Sequence, residues 1–144
     1  MITLQRALGM AFSVGVLVIG TVGATACEPD PWHGCPSGRF CVYEDRGYGG
    51  GRRTWSTAGT NNFVPNYNAI QWPSTNDAID NEVSSYVNRS GKIIQLYQAV
   101  NCGHDVTTIA PGEMQDNLTG DPNGDVGDNE ASSHRTAGSS CDNT

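Results

Sequence analysis

One hexapeptide occurs twice in this chain, as Asp80-Asn81-Glu82-Val83-Ser84-Ser85 and Asp128-Asn129-Glu130-Ala131-Ser132-Ser133. Five of the six positions are identical, and the sixth keeps a small apolar residue. The copies start 48 residues apart (128 − 80), a period that marks a supersecondary unit used twice. Each copy gathers carboxylate, amide and hydroxyl oxygens within one turn. Hard cations such as calcium take ligands of that kind, with main-chain carbonyls completing the shell. Ser84 and Ser85 open a run, Ser-Ser-Tyr-Val-Asn, that reads as a strand, so the sheet would hold the donors in place. A single Asp-Asn pair is ordinary turn chemistry. Its recurrence in step with a longer repeat is what favours a metal site.

The longer repeat is visible upstream of each hexapeptide. Tyr43-Glu44-Asp45-Arg46-Gly47-Tyr48-Gly49-Gly50 sits between two strand-like runs, Phe40 to Tyr43 and Arg52 to Trp55. Its glycines allow positive φ where a hairpin folds over. A phosphate cradle would need a helix start to follow, and none does. At an offset of 54 (97 − 43), Tyr97 answers Tyr43, Gly103 answers Gly49 and Ile109 answers Trp55. Two positions depart: Cys102 replaces the second tyrosine, and His104 replaces the last glycine. A disulfide at Cys102 is therefore expected to reshape the second hairpin. Ser90-Gly91 reads as the seam between the units, which run over about 40–89 and 92–138. Glu82 to Asn88 is expected to be the last strand of the first unit, and a short strand should follow Ser133. Between Asn61 and Asp77, Phe63, Tyr67, Ile70 and Trp72 punctuate a polar stretch in which Pro65 and Pro73 bar regular helix. These rings are expected to cap one end of a sandwich, with a sugar-binding platform as the competing reading.

Residues 1–26 read as an export signal. Arg6 precedes an apolar run from Ala7 to Val22, and Ala24-Thr25-Ala26 forms a small-residue cleavage site. The run is short and broken by glycine, which disfavours a membrane anchor. The remainder, 27–144, is then one secreted, extracellular domain of about 118 residues (144 − 26), and its net charge moves from −7 to −8 on loss of Arg6. Five cysteines in an exported chain of this size point to disulfides. Cys35 and Cys41 bracket a loop short enough to be stapled locally, and Cys102 and Cys141 are the natural long-range pair. Cys27 is left free, lipidated or linked to another molecule. No membrane contact is expected unless Cys27 is lipidated. A zinc site would need paired C-x-x-C spacings with nearby histidines, which are absent. Asp121, Asp125 and Asp128 resemble the start of an EF-hand loop, but the closing glutamate is missing.

No G-x-S-x-G, HExxH or P-loop pattern occurs, and His33, His104 and His134 are scattered. With a pI near 4.6 and no basic stripe, a nucleic-acid partner is not expected. Nor is catalysis.

The twin Asn/Asp-Asn/Asp-x-x-Ser/Thr-Ser motifs and the aromatic-x-x-x-x-aromatic-x-Gly hairpin over Tyr43 to Gly50 resemble the βγ-crystallin fold. The arrangement from about 35 to 141 is similar to the actinomycete secreted peptidase inhibitors of the Streptomyces metalloproteinase inhibitor type. That resemblance implies an all-β sandwich of two Greek keys, a monomer with two structural calcium ions clamped between the keys. The implied ligands are Asp80, Asn81, Glu82 and Ser84 with Asp128, Asn129, Glu130 and Ser132, joined by the carbonyls of Glu44 and Gln98. It also implies inhibition of an extracellular protease of thermolysin-like metalloprotease type. The expected inhibitory segment is Cys102, Gly103, His104, Asp105 and Val106, held extended by the long-range disulfide, with the Cys35–Cys41 staple as its rival. Two other functions suit the same fold: a calcium-stabilised envelope or stress protein without a protease partner, and a killer-toxin-like secreted protein.

Overall fold

The computed structural model describes residues 29–59, 62–118 and 126–141. The export signal at 1–26, Cys27, Asp121 and Asp125 fall outside them. The strands are β1 (Arg39–Tyr43), β2 (Arg52–Ser56), β3 (Phe63–Val64), β4 (Ser85–Asn88), β5 (Ile94–Ala99), β6 (Gly103–Ile109), β7 (Met114–Gln115) and β8 (Ser133–Thr136). They pair antiparallel in two four-stranded sheets, ordered β2-β1-β4-β7 and β3-β8-β5-β6. Each half of the chain lends one strand to the other's sheet. The first half sends β3 to pair with β8, and the second sends β7 to pair with β4. The repeat read from sequence is also a repeat of register: Phe40 faces Trp55 as Ile94 faces Ile109. Glu82 to Ser84 are not strand, because the hexapeptide turn, with Asn81 at φ 58°, delays β4 until Ser85.

Alternation along β1 divides its side chains between two cores. Phe40 and Val42 point between the sheets and join Tyr86, Ile94, Leu96 and Ile109. Cys41 and Tyr43 belong to a second cluster with Cys35 and Val87, against which Trp32, Tyr48 and Met114 pack. The Cys35–Cys41 disulfide, with Cα atoms 6.0 Å apart, fastens the N-terminal segment over that face. Arg89 reinforces the cover: its guanidinium lies 4.8 Å from the Trp32 ring centroid and donates to the Cys35 carbonyl at 2.6 Å.

Of the rings between β2 and β4, Tyr67 and Trp72 fill the sandwich instead of capping it, while Phe63 on β3 is only partly buried. Tyr67 and Trp72 are among the most buried side chains of the main core. Buried rings cannot stack on a sugar, so the platform reading fails. The reason is topological: β3 and β4 lie in different sheets, and the connection between them turns Tyr67 and Trp72 inward while Asn68, Ala69 and residues 73–77 stay exposed.

His134 on β8 is buried in this core. Its ring lies 4.6 Å from the Trp55 ring and 5.1 Å from Phe40, centroid to centroid. The Tyr67 hydroxyl, kept protonated by burial, shares a hydrogen bond of 2.6 Å with His134 Nδ1. With no water to solvate an imidazolium, burial lowers the His134 pKa to about 3. An unfolded histidine titrates at about 6.5. The group therefore contributes stability that is fully present above that value and is lost as pH falls toward the folded pKa. Urea unfolding should show a loss of about 2 kcal/mol between pH 7 and 5, where ordinary carboxylates remain mostly ionised. The variant His134→Gln should be less stable at pH 7 but much flatter across that window. An equal decline in the variant would assign the pH dependence elsewhere.

Candidate functional site

The two hexapeptides meet and bond to each other, with a bond from Asn81 Nδ2 to Asp80 Oδ2 at 3.2 Å inside the first copy. Asn81 and Asn129 take left-handed backbone, φ 58° and 59°, a conformation that asparagine tolerates better than most residues. This turns each amide N–H toward the opposite copy. The Asn81 N–H donates to the Ala131 carbonyl at 3.1 Å, and the Asn129 N–H to Val83 at 3.0 Å. Side chains cross in the same sense. Ser84 Oγ donates to Asn129 Oδ1 at 3.2 Å, and Ser132 Oγ to Asn81 Oδ1 at 3.4 Å. The structure thus assembles two mixed clusters, Asp80–Asn81–Ser132 and Asp128–Asn129–Ser84.

The β1–β2 and β5–β6 hairpins close one side of each cluster. Ser84 N–H donates to the Tyr43 carbonyl at 3.0 Å, and Ser132 N–H to Tyr97 at 2.9 Å. Glu44 and Gln98 are the next residues along each hairpin. The Glu44 carboxylate accepts the Gly51 N–H at 2.7 Å, which leaves its carbonyl as the group available to an ion. Gln98 sits where the β5–β6 register shifts between Tyr97 and Ala99. Glu82 and Glu130 use their carboxylates structurally, accepting from Trp72 Nε1 at 2.9 Å and Gly127 N at 3.0 Å.

The donor set suits a hard cation. Asp80 Oδ1 is buried without a hydrogen-bond partner, and the equivalent Asp128 oxygen is buried as well. A buried carboxylate oxygen left unsatisfied is costly, and a bound cation removes the cost. Among the described residues no three His, Cys, Asp or Glu side chains form a metal-holding group. An ion here would draw on amide, hydroxyl and main-chain oxygens, the chemistry of calcium and not of zinc.

Ser85 and Ser133, read from sequence only as strand openers, hold the hairpins folded. Ser85 Oγ donates to the Asp45 carbonyl at 2.8 Å and accepts the Tyr48 N–H at 3.2 Å. Ser133 Oγ repeats both bonds, to Ala99 at 2.7 Å and from Cys102 at 3.3 Å. The signal was present, since the second serine is shared by both copies. Arg46, which pairs with Asp128 at 2.6 Å, had no such signal.

The second hairpin is not reshaped. A 3-10 turn spans Arg46–Tyr48 in one and Val100–Cys102 in the other. Gly47, Tyr48 and Gly50 have φ of 65°, 64° and 66°, and Asn101, Cys102 and His104 repeat this with 55°, 60° and 57°. The serine bonds impose the geometry, so Cys102 adopts the conformation of the tyrosine it replaces and bonds to Cys141, Cα to Cα 5.9 Å. The Cys102–Val106 segment consequently differs from a uniformly extended loop. Cys102 ends the 3-10 turn, Gly103 pairs with Ala99, Val106 pairs with Tyr97, and left-handed His104 breaks the extension between them. His104 and Asp105 are exposed, and β6 is the last strand of its sheet.

Several solved structures share this fold. A βγ-crystallin domain from work on the evolution of the eye-lens fold superposes with a TM-score of 0.56 at 14% identity, covering 72% of this chain and 90% of its own. A βγ-crystallin from Ciona intestinalis gives 0.53 at 17% identity, covering 69% and 99%. One from an archaeon gives 0.51 at 20% identity, covering 70% and 99%. At these identities the likeness establishes the fold alone. No curated protein matches the sequence. The model of peptidase inhibitor family I36 matches residues 28–109, more than half of the 144 residues. The chain belongs to that family: it is a peptidase inhibitor on a βγ-crystallin fold, and not an enzyme.

Proposed function

We propose that this inhibitor is exported, that its target is an extracellular zinc peptidase of thermolysin-like type, and that Cys102–Val106 makes the contact. The observation that carries the reading is the doubly fixed second hairpin. Ser133 holds the 3-10 turn from inside, and the Cys102–Cys141 disulfide ties it to the C-terminal segment. Exposed His104 and Asp105 stand immediately beyond these two anchors. A segment already ordered before binding forfeits little conformational entropy on entering a protease cleft, and it is hard to release after attack. The equivalent segment of the first hairpin, Tyr48 to Arg52, is held through Tyr48 against Tyr43 and His33 and has no disulfide. The Cys35–Cys41 staple is less suited, because both cysteines are buried in the second cluster.

The scaffold's two oxygen clusters would each hold one structural calcium. The first takes Asp80, Asn81, Ser132 and the Gln98 carbonyl, and the second takes Asp128, Asn129, Ser84 and the Glu44 carbonyl. Glu82 and Glu130 would contribute main-chain oxygens, since their carboxylates are engaged elsewhere.

Titrating the purified protein into a thermolysin-like peptidase should abolish activity at a 1:1 ratio. Gly103→Pro removes the Gly103 N–H bond to the Val100 carbonyl and should weaken inhibition at least about tenfold, a loss of roughly 1.4 kcal/mol. Full inhibition by this variant would move the contact elsewhere. No effect of the wild type on metallo-, serine or cysteine peptidases would favour a structural role for the domain.

His104 allows stability and contact to be separated. It holds a left-handed conformation that its repeat counterpart, Gly50, adopts without strain. His104→Gly should raise stability by about 0.5–1 kcal/mol in urea unfolding while weakening inhibition. Unchanged inhibition by a stabilised variant would show that the side chain is outside the contact.

A further inference from the structure

Beside the two oxygen clusters the internal repeat departs at three charged positions, Glu44, Asp45 and Arg46, which correspond to Gln98, Ala99 and Val100, and of these Arg46 is the one that is positively charged. Arg46 in the first hairpin corresponds to Val100 in the second (46 + 54). Its guanidinium reaches Asp128 Oδ2 with Nη2 at 2.6 Å and Nε at 3.2 Å. Val100 cannot do the same for Asp80, and it is left 42% exposed. Asp80 Oδ2 accepts the neutral Asn81 amide at 3.2 Å in place of a guanidinium, while the Oδ1 atoms of both aspartates are buried.

We infer that Arg46 is a tethered counter-ion for Asp128, which makes the clusters unequal: a divalent cation fills the Asp80–Asn81–Ser132 cluster first and the Asp128–Asn129–Ser84 cluster only as Arg46 withdraws. The inference rests on the proposed calcium binding. Its physical basis is competition for one carboxylate. A guanidinium with two N–H groups on a carboxylate oxygen supplies charge-assisted bonds and repels an approaching cation. The Arg46 side chain is 56% exposed and that of Asp128 only 16%. Arg46 can therefore leave into water, whereas the aspartate cannot follow it. Glu44 and Asp45 add negative charge near the same cluster, but the Glu44 carboxylate is bonded to Gly51 N and is not directed at a bound ion. In the metal-free protein Arg46 also links the first hairpin to the second hexapeptide, so one of the two clusters is clasped before any ion arrives.

Calorimetric titration of calcium chloride into the metal-free protein tests this. The wild type should show two unequal sites. Ser132→Arg should remove the tighter one and Ser84→Arg the weaker; if either variant fails to fold, Ser132→Ala and Ser84→Ala should weaken the same sites selectively. Arg46→Gln should tighten the weaker site about two- to fivefold, the range for a partly exposed ion pair, and leave the tighter one unchanged. Loss of the tighter site in Ser84→Arg, or Arg46→Gln titrating like the wild type, would overturn the inference while leaving calcium binding intact. The absence of any heat from wild type and Arg46→Gln alike would overturn the calcium reading and this inference with it.

Discussion

The reciprocal bonding of the two Asp-Asn turns is the constraint on which the rest of the structure depends. Each left-handed asparagine sends its N–H across to the other copy's backbone and receives a serine hydroxyl from that copy. Neither turn can satisfy its polar groups alone. Since buried backbone groups must find partners, the halves of the chain are obliged to form together. The exchange of β3 and β7 between sheets follows the same logic, because each half completes the other's sheet. Bonds from the turn regions extend into both halves: Ser132 accepts the Tyr67 N–H at 2.8 Å, and Ser84 accepts the Leu118 N–H at 3.0 Å. The clasp thus fixes the connections on both sides of the core.

On this near-symmetric frame the two hairpins have diverged in chemistry but not in backbone. The first keeps Tyr48 against Tyr43 and places Arg46 on Asp128. The second replaces the tyrosine by a disulfide and the flexible glycine by an exposed histidine. A scaffold that imposes one hairpin shape through a buried serine can vary the residues displayed without losing their position. An inhibitor needs that property, because rigidity is built into the frame and specificity into the side chains.

The sequence displayed what recurs and concealed what occurs once. The twin hexapeptides, the hairpin glycines at Gly47 and Gly50, and the spacing of the cysteines were sufficient to reach two related β units and both disulfide pairs. Four features were missed for physical reasons. The conformation of the second hairpin was underestimated because Cys102 and His104 look unsuitable for positive φ, while the Ser133 bonds that enforce it come from a residue 31 positions away. Tyr67 and Trp72 lie in a stretch broken by prolines, so no periodicity showed that they enter the core. His134 resembles any scattered histidine until β8 is placed between β3 and β5. Arg46 is legible only in three dimensions, since its partner lies 82 positions along the chain.

In the function proposed above, the clasp between the two hexapeptides is an ion-binding core that stabilises the folded inhibitor. Thermal unfolding of the purified protein over a series of free calcium concentrations tests it most directly. A ligand bound only to the folded chain stabilises it by RT ln(1 + [L]/Kd), about 2.7 kcal/mol per site at a hundredfold excess over Kd. The melting temperature should therefore rise steadily with the logarithm of calcium concentration and fall back on chelation. A melting temperature identical in chelator and in millimolar calcium would contradict the account.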